Sequence, residues 1–381
     1  MVEWKFLNDI CGIYDGTHQT PKYTDYGVKF VSVENIGAPY SSQKYISEED
    51  YSKNYKTKPQ KGDVLMTRIG DVGTCAVLNS DEPIAYYVSL ALLRPIVQFV
   101  QSNYVKYILE SNIGKKELRK KTLLTAVPLK INLGDVGKLK LPIPSISEQT
   151  RIVGILDTFT TSIDNLKQQI AQRRKQYEYY RDQLLDLEGK EDIHSWGEFC
   201  KMEKGNGVQK VDFVEEGIGC IHYGQIYTHY GPYAYETNKF VSKEVFDKAR
   251  KASKGDIIMT DTSENVEDIC KSVAWLGDDD IAVSNHALII KHSQNPKFLS
   301  YSTQTKSFFL QKRKVVVGVK VSGIKPDDLA KIKIFLPSLR EQQRIVSILD
   351  TFEASIQNLE AQLSQREKQY EYYRNKLLTF E

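Results

Sequence analysis

Two sets of side chains in this sequence are suited to recognition more than to bond making. Toward the amino-terminal side stand Thr17, His18, Lys22, Lys29, Asn35 and Arg68, followed by the cluster Lys115, Lys116, Arg119, Lys120 and Lys121. Farther along come Lys210, His222, Tyr223, Gln225, Tyr227, Ser263, Asn265, Asn285 and His286, then Lys312, Arg313 and Lys314. The chemistry of such sets is the reading of nucleic acid: Lys and Arg neutralise phosphates, an amide pairs with adenine, and Tyr brings a ring with a polar tip. An arginine such as Arg68 has the geometry to hold guanine O6 and N7 together, worth roughly 1 to 3 kcal/mol of discrimination. Plainer readings stand beside these. Arg68 also suits a surface salt bridge, His18 a turn, Asn35 a turn cap, and His222 or Gln225 a satisfied buried polar contact.

The groups that an enzyme needs are missing. No G-x-x-x-x-G-K-[ST] or G-x-G-x-x-G loop is present for phosphates, and no H-E-x-x-H or G-x-S-x-G. Lys204-Gly205-Asn206-Gly207 and Gly70-Asp71-Val72-Gly73 read as turns. The six histidines never pair at ligand spacing with Cys or acid partners, and the acidic runs Glu48-Glu49-Asp50 and Asp278-Asp279-Asp280 read as solvated turns. The proline-rich aromatic tetrapeptide of amino-methylating enzymes is absent, as is a methyl-donor glycine loop. The expectation is a non-catalytic chain that binds no cofactor or metal.

What positions the two sets is a duplication. Residues 144–185 and 337–378 align without a gap at an offset of 193, with about two-thirds of positions identical. In the first copy Ile152, Leu156, Phe159, Ile163, Leu166, Ile170, Tyr177, Tyr180 and Leu184 alternate spacings of four and three, a heptad seam with Arg173 in its one polar slot. The second copy repeats the register from Ile345 to Leu377, with Arg366 in the same slot. Pro144 and Pro337 precede the helices, each of which spans about 50 to 55 Å at 1.5 Å per residue. Mutual burial of two equivalent stripes within the chain favours antiparallel packing, although parallel pairing and pairing between chains are open on sequence alone. Tyr177, Tyr180, Tyr370 and Tyr373 are expected in that seam. Arg173 and Arg366 are expected to cost packing unless an acid from a neighbouring domain reaches them.

The segments between the helices correspond more faintly. Tyr26 to Ile36 parallels Glu216 to Ile226, which puts His222 and Gln225 in the slots of Ser32 and Asn35. Lys61-Gly62-Asp63 leads a strand as Lys254-Gly255-Asp256 does, and Ala85 to Ser89 is set against Ile281 to Asn285. Where Arg68 stands, the second segment has Asp261. A carboxylate accepts from cytosine N4 but repels phosphate, so the role of Arg68 does not carry over directly. Short helices are expected over Val100 to Asn112 and Pro296 to Phe309, and a charged linker over Leu187 to Ser195. The fold class is α+β: two globular α/β domains separated by an intramolecular antiparallel coiled coil, with a pseudo-two-fold relation. The boundaries are 1–143, 144–190, 191–336 and 337–381.

Length and composition agree with two soluble domains: 381 residues, 41% hydrophobic and 27% charged. No run is long and apolar enough to cross a bilayer, so the expected location is cytoplasmic without membrane contact. The net charge of +3 permits nucleic-acid binding without arguing for it, and five scattered cysteines make no disulfide framework.

The order of domain, helix, domain, helix, with Pro144-x-x-x-Glu148-Gln149 leading into Arg151-Ile152-Val153 and Pro337-x-x-x-Glu341-Gln342 into Arg344-Ile345-Val346, resembles the specificity subunit of Type I restriction-modification systems. Asp15-Gly16-Thr17-His18 with Pro21, the two Lys-Gly-Asp strand starts, and Thr67-Arg68-x-Gly70-x-x-Gly73 add to the likeness, which covers essentially the whole chain. The resemblance implies two target recognition domains, each reading one half of a split site in double-stranded DNA, with the helical pair setting the spacer. It implies two modification subunits that carry S-adenosylmethionine, and restriction subunits that bring ATP- and Mg-dependent action. Docking residues expected on the helices are Arg174, Lys175, Glu178, Lys368 and Glu371, with Glu148, Gln149, Glu341 and Gln342 at the helix starts. A methylation-only or orphan specificity subunit is the alternative within the family. Outside it stand a protein-binding coiled-coil adaptor, whose DNA affinity would not fall with salt, and a self-contained methyltransferase, which would have to bind the methyl donor.

Overall fold

The computed structural model of the chain describes residues 2–317 and 322–380. They fall into two compact units: the first runs to Lys167 and resumes at Ala361, and the second is Gln168–Glu360. Each unit therefore holds one α/β domain, half of one long helix and half of the other.

In the first unit a four-stranded antiparallel sheet is ordered Cys11–Asp15, Leu90–Pro95, Val64–Thr67, Cys75–Val77. A second sheet carries Val28–Val31 beside Ile84–Tyr86 in parallel. The strand Val64–Thr67 is buried at every position, because its two faces serve different cores. Val64 and Met66 pack among Tyr104, Val105 and Ile108 of the helix Ser102–Glu110, whereas Leu65 joins Phe30, Ile84 and Leu92 between the sheets. The Lys-Gly-Asp lead has a definite job. Gly62 turns the chain at φ +90°, Asp63 accepts from the Gln60 N–H at 3.0 Å, and its two oxygens hold Arg94 at 2.9 and 2.7 Å.

The second unit repeats this plan. Cys200–Lys204, Ala287–His292 and Ile257–Thr260 are ordered as their counterparts are, and Ile218–Ile221 lies parallel to Ile281–Val283. Ile257 and Met259 face one core and Ile258 the other. Asp256 caps Ser253 at 2.8 Å and pairs with Lys291 at 2.8 Å. One sequence expectation needs correcting by a residue: Phe30 pairs with Ala85 and Cys220 with Ala282, so Ala85 corresponds to Ala282, not Ile281. Two further corrections concern helices and linker. The short-helix regions are each two helices, Ser102–Glu110 with Asn112–Lys121 and Pro296–Ser302 with Lys306–Val315, and the charged linker ends in a strand, Ile193–Ser195, paired with Lys333–Phe335.

The long helices are Ile146–Leu185 and Leu339–Leu377. Within each unit their halves run antiparallel. In the first, Phe159 stacks on Tyr373 at 5.4 Å and Lys167 faces Glu367; in the second, Tyr180 stacks on Phe352 at 5.4 Å and Arg174 faces Glu360. The odd arginines find rings instead of acids: Arg173 lies 6.0 Å from the Phe352 ring and Arg366 5.7 Å from that of Phe159, a cation–π contact that lets a charge sit in an apolar seam. Tyr177 is buried as expected and Tyr370 packs against the first core, but Tyr180 and Tyr373 stay exposed, each stacking one face on its phenylalanine.

Candidate nucleic-acid interface

Part of the expected set lies where strands of both sheets end, while Lys115, Lys116, Arg119, Lys120 and Lys121 lie on the helix Asn112–Lys121 and Lys312, Arg313 and Lys314 on the helix Lys306–Val315. In the first unit the chain leaves the Cys11–Asp15 strand through Gly16 and passes against the Tyr86–Tyr87 backbone: Thr17 N–H donates to Tyr86 O at 3.2 Å. A Cβ on Gly16 would sit 2.5 Å from the Tyr87 carbonyl, so only glycine permits the approach. Beside it the guanidinium of Arg68, at the end of Val64–Thr67, donates to Asp15 at 2.7 Å and to Val88 O at 2.8 Å. His18 meets the other oxygen of Asp15 at 2.8 Å.

The second unit has the same crossing and the opposite charges. Gly205 lies where a Cβ would come 2.3 Å from Ser284 O, and Asn206 N–H donates to Val283 O at 3.1 Å. Asp261, in the position of Arg68, pairs with Lys204, in the position of Asp15, at 2.9 Å. In both units the member on the inner strand is the buried one: the side chains of Arg68 and Asp261 are 7% and 5% exposed, while those of Asp15 and Lys204 are 29% and 56% exposed. The ion pair is kept with its polarity reversed.

Around Lys204 and Asp261 lies an aromatic group. Tyr223 is 5.3 Å from His286 and 6.2 Å from Tyr227, and Tyr227 donates to Thr262 O. His286 occupies the turn after Ile281–Val283 at φ +65°, which histidine tolerates better than branched residues, and exposes its ring. His222 caps the helix Tyr223–Thr228: its Nδ1 accepts from Gly224 N–H at 3.1 Å, and Gln225 accepts from His222 N–H at 2.8 Å. Burial, then the charge of Lys210 and His286, holds the His222 imidazole below its ordinary pKa, so it stays neutral and able to accept.

The other expected residues divide by burial. His18, Lys22, Lys115, Lys116, Arg119, Lys120, Lys210, Asn265, Asn285, Arg313 and Lys314 are exposed, and Thr17, Lys29, Asn35, Lys121, Tyr223, Gln225 and Tyr227 are half-buried. Lys29 is paired with Glu82 at 2.8 Å, Asn285 accepts from Gly207 N–H at 3.1 Å, and Asn265 closes a local turn on Asp268. Arg68, His222, Ser263 and Lys312 are buried. Lys312 donates to Glu267 O and Ile269 O at 2.8 and 2.5 Å, and Arg68 is held by Asp15 and Val88, so both cations are engaged inside their own domain. Asp15, Lys204 and Asp261, which the sequence did not single out as candidates, complete these ion pairs. Aligning Asp15-Gly16 with Lys204-Gly205 is the signal that finds the pair.

At the helix starts the structure separates neighbours in the motif. Glu148 and Glu341 form exposed pairs with Arg151 and Arg344 at 2.6 Å, which hold both carboxyls below their usual range. Gln149 and Gln342, expected to dock a partner, are wholly buried. Gln149 donates to Phe99 O and Pro144 O and accepts from Gln101 N–H; Gln342 donates to Gln294 and Pro337 O and accepts from Asn295 N–H. They clamp each helix to its own domain. Asp157 and Asp350 do the same one face along, accepting from Tyr107 at 2.6 Å and Tyr301 at 2.7 Å. Arg174 pairs with Glu360, and Lys175, Glu178, Lys368 and Glu371 are exposed.

Comparison with known proteins agrees with this duplicated plan. Residues 1–173 and 198–367 match the family model of the Type I restriction modification DNA specificity domain. A putative type I restriction enzyme specificity subunit of Haemophilus influenzae is 25% identical over 418 aligned residues, covering 100% of this chain and 96% of the relative. A putative type I specificity subunit of Mycoplasma pneumoniae is 24% identical, covering 97% and 96%. The crystal structure of a Type-I restriction-modification S subunit from M. genitalium superposes with a TM-score of 0.58 at 13% identity over 100% of this chain and 97% of that one, a likeness of fold.

Proposed function

The chain belongs to the Type I restriction-modification DNA specificity family, and from that membership we propose how its two units divide the work. It is the DNA sequence-specificity subunit of a Type I restriction-modification complex, and it selects a site without catalysing a reaction. Among the described residues no group of three or more His, Cys, Asp or Glu is gathered to hold a metal, and no helix is long and apolar enough to cross a membrane.

Each domain reads one half of a split site, the first through the strand-end surface around Asp15, Thr17 and His18, the second through that around Lys204, Tyr223, Asn285 and His286. The exposed Lys115, Lys116, Arg119 and Lys120, with Arg313 and Lys314, take phosphates. Arg68 positions Asp15 and is not itself a base contact, and Lys312 braces its own domain. The helix pair sets the spacer, and its exposed Lys175, Glu178, Lys368 and Glu371 face two modification subunits. Those subunits carry S-adenosylmethionine, and restriction subunits bring ATP and Mg to the same assembly; the complex works in the cytoplasm.

The observation that carries this reading is one scaffold, built twice, bearing different side chains on the same strand-end surface. Two sequences can then be read with one geometry. The test is genome-wide mapping of N6-methyladenine in cells expressing this chain with the modification subunit of the same genome, against cells lacking it. A split motif that appears only with the chain, and changes in one half when residues 1–140 are exchanged, is the expected result. If that modification subunit is active with another specificity chain and this one yields no motif, the reading fails.

A further inference from the structure

The reversed ion pair asks why a contact that holds two strands together should change sign between copies. Mechanical need does not explain it. At the other end of the inner strand, Asp63 with Arg94 and Asp256 with Lys291 keep their polarity, so the scaffold is content with one arrangement there. What the reversal changes is the member left at the surface: a carboxylate at Asp15, an ammonium at Lys204.

Both surface groups have capacity to spare. A carboxylate offers about four acceptor directions. Arg68 uses one on Oδ1 and His18 one on Oδ2 of Asp15. An ammonium offers three donors, and Asp261 takes one from Lys204 at 2.9 Å. Each group emerges beside the glycine crossing, next to exposed His18 in one unit and exposed Asn285 and His286 in the other. Phosphate repels a carboxylate, so on a DNA-facing surface Asp15 is suited to a base edge and not to the backbone. In the major groove, carboxylates take the exocyclic amine of cytosine or adenine, and lysine takes guanine O6 and N7.

We propose that the position held by Asp15 and by Lys204 is a specificity-determining base contact of opposite polarity in the two domains: Asp15 accepts from an exocyclic amine in the first half-site, and Lys204 donates to guanine in the second. This rests on the reading of the chain as a two-headed specificity subunit. The buried partners, Arg68 and Asp261, are positioning residues that hold the surface group at the strand end.

The experiment uses the full chain with its modification subunit and reads the methylated motif together with competition binding of oligonucleotides bearing single base-pair changes. Asp15→Asn, which keeps the shape, is expected to lower discrimination roughly tenfold at one base pair of the first half-site and at none in the second. The double variant Asp15→Lys/Arg68→Asp, which imports the polarity of the second unit, is expected to shift preference at that base pair toward guanine. Lys204→Gln should relax one position of the second half-site only. Asp15→Asn keeps the acceptor for Arg68 but removes the charge opposite a buried guanidinium, and Lys204→Gln removes the charge opposite buried Asp261, so both complexes are expected to melt below the parent and discrimination is read at a temperature where both are folded. Unchanged discrimination at every base pair in folded complexes would show the pair to be structural and overturn the proposal. A parent chain that yields no split motif would instead overturn the functional reading beneath it.

Discussion

The two ends of the inner strands, Val64–Thr67 and Ile257–Thr260, behave oppositely. At their starts an aspartate caps the turn and holds a cation on the adjacent strand, Arg94 in one unit and Lys291 in the other. At their finishes the pair is inverted, Asp15 with Arg68 against Lys204 with Asp261. The inverted pair reaches across the intervening strand, Leu90–Pro95 or Ala287–His292, and its separation and burial do not depend on polarity, so packing does not fix the sign. Where the sign is kept, the aspartate has a second task, accepting backbone N–H groups that no cation can serve. At the reversed pair Arg68 and Asp261 hold Asp15 and Lys204 in either polarity. The scaffold thus keeps its charges at one end and exchanges them at the other, the end at which the proposed base contacts lie.

That contrast is open to breakage by substitution, read in each unit by hydrogen exchange. The largest effect is expected from Leu378→Ala. Leu378 is fully buried in the core of the first unit, and its truncation should destabilise that unit by about 3 kcal/mol while leaving the second untouched. Equal loss in both units would deny that they are separately built. Next, Gln149→Leu and Gln342→Leu each strand a backbone N–H and carbonyls inside the protein, at about 2 kcal/mol apiece, each in its own unit. Tyr107→Phe and Tyr301→Phe remove a hydrogen bond to a partly exposed carboxylate and should cost about 1 kcal/mol each; unequal losses would show that the two clamps are not equivalent.

The smallest expected difference is in pH response. Burial lowers the pKa of His222 and His292, both in the second unit, whereas Ser32 stands in the place of His222 in the first. The unfolded imidazoles take up protons near their ordinary value of about 6.5, before the folded ones do. The stability present at neutral pH is therefore lost from the second unit as pH falls below that value toward the lowered folded ones. Glu110 and Glu353, one in each unit and both raised by burial, act in the other direction. Amide exchange in the second unit should speed up relative to the first between pH 7 and 5.5, and His222→Ser should reduce the gap. A gap of the opposite sign would show that acids outweigh the two histidines.

Much of the architecture was legible because it rests on periodic signals. The heptad from Ile152 to Leu184 gave the helix and its seam, and the gap-free repeat favoured antiparallel pairing within the chain while leaving the alternatives open. Signals that depend on distance in the chain were not legible. Fifty-three positions separate Arg68 from Asp15, and nothing local in Arg68 says that it turns inward. Gln149 sits in a polar run at a helix start, where a side chain ordinarily meets solvent, and only the fold reveals the Gln101 N–H and Pro144 carbonyl behind it. The one-residue slip at Ala85 arose because the segment between strands is longer in the second copy, and a change in loop length leaves no mark on hydrophobic pattern.

The division of the chain also bears on the order in which it is made. The second unit is contiguous, Gln168–Glu360, and its residues are all available once the ribosome has passed them. The first awaits Tyr370, Leu377, Leu378 and Phe380, which pack into its core from the far end of the sequence. The domain translated first is therefore the last to be completed, and its core lacks Leu378 and the side chains packed beside it until synthesis is nearly done, which leaves it open to chaperones and to mispairing until then.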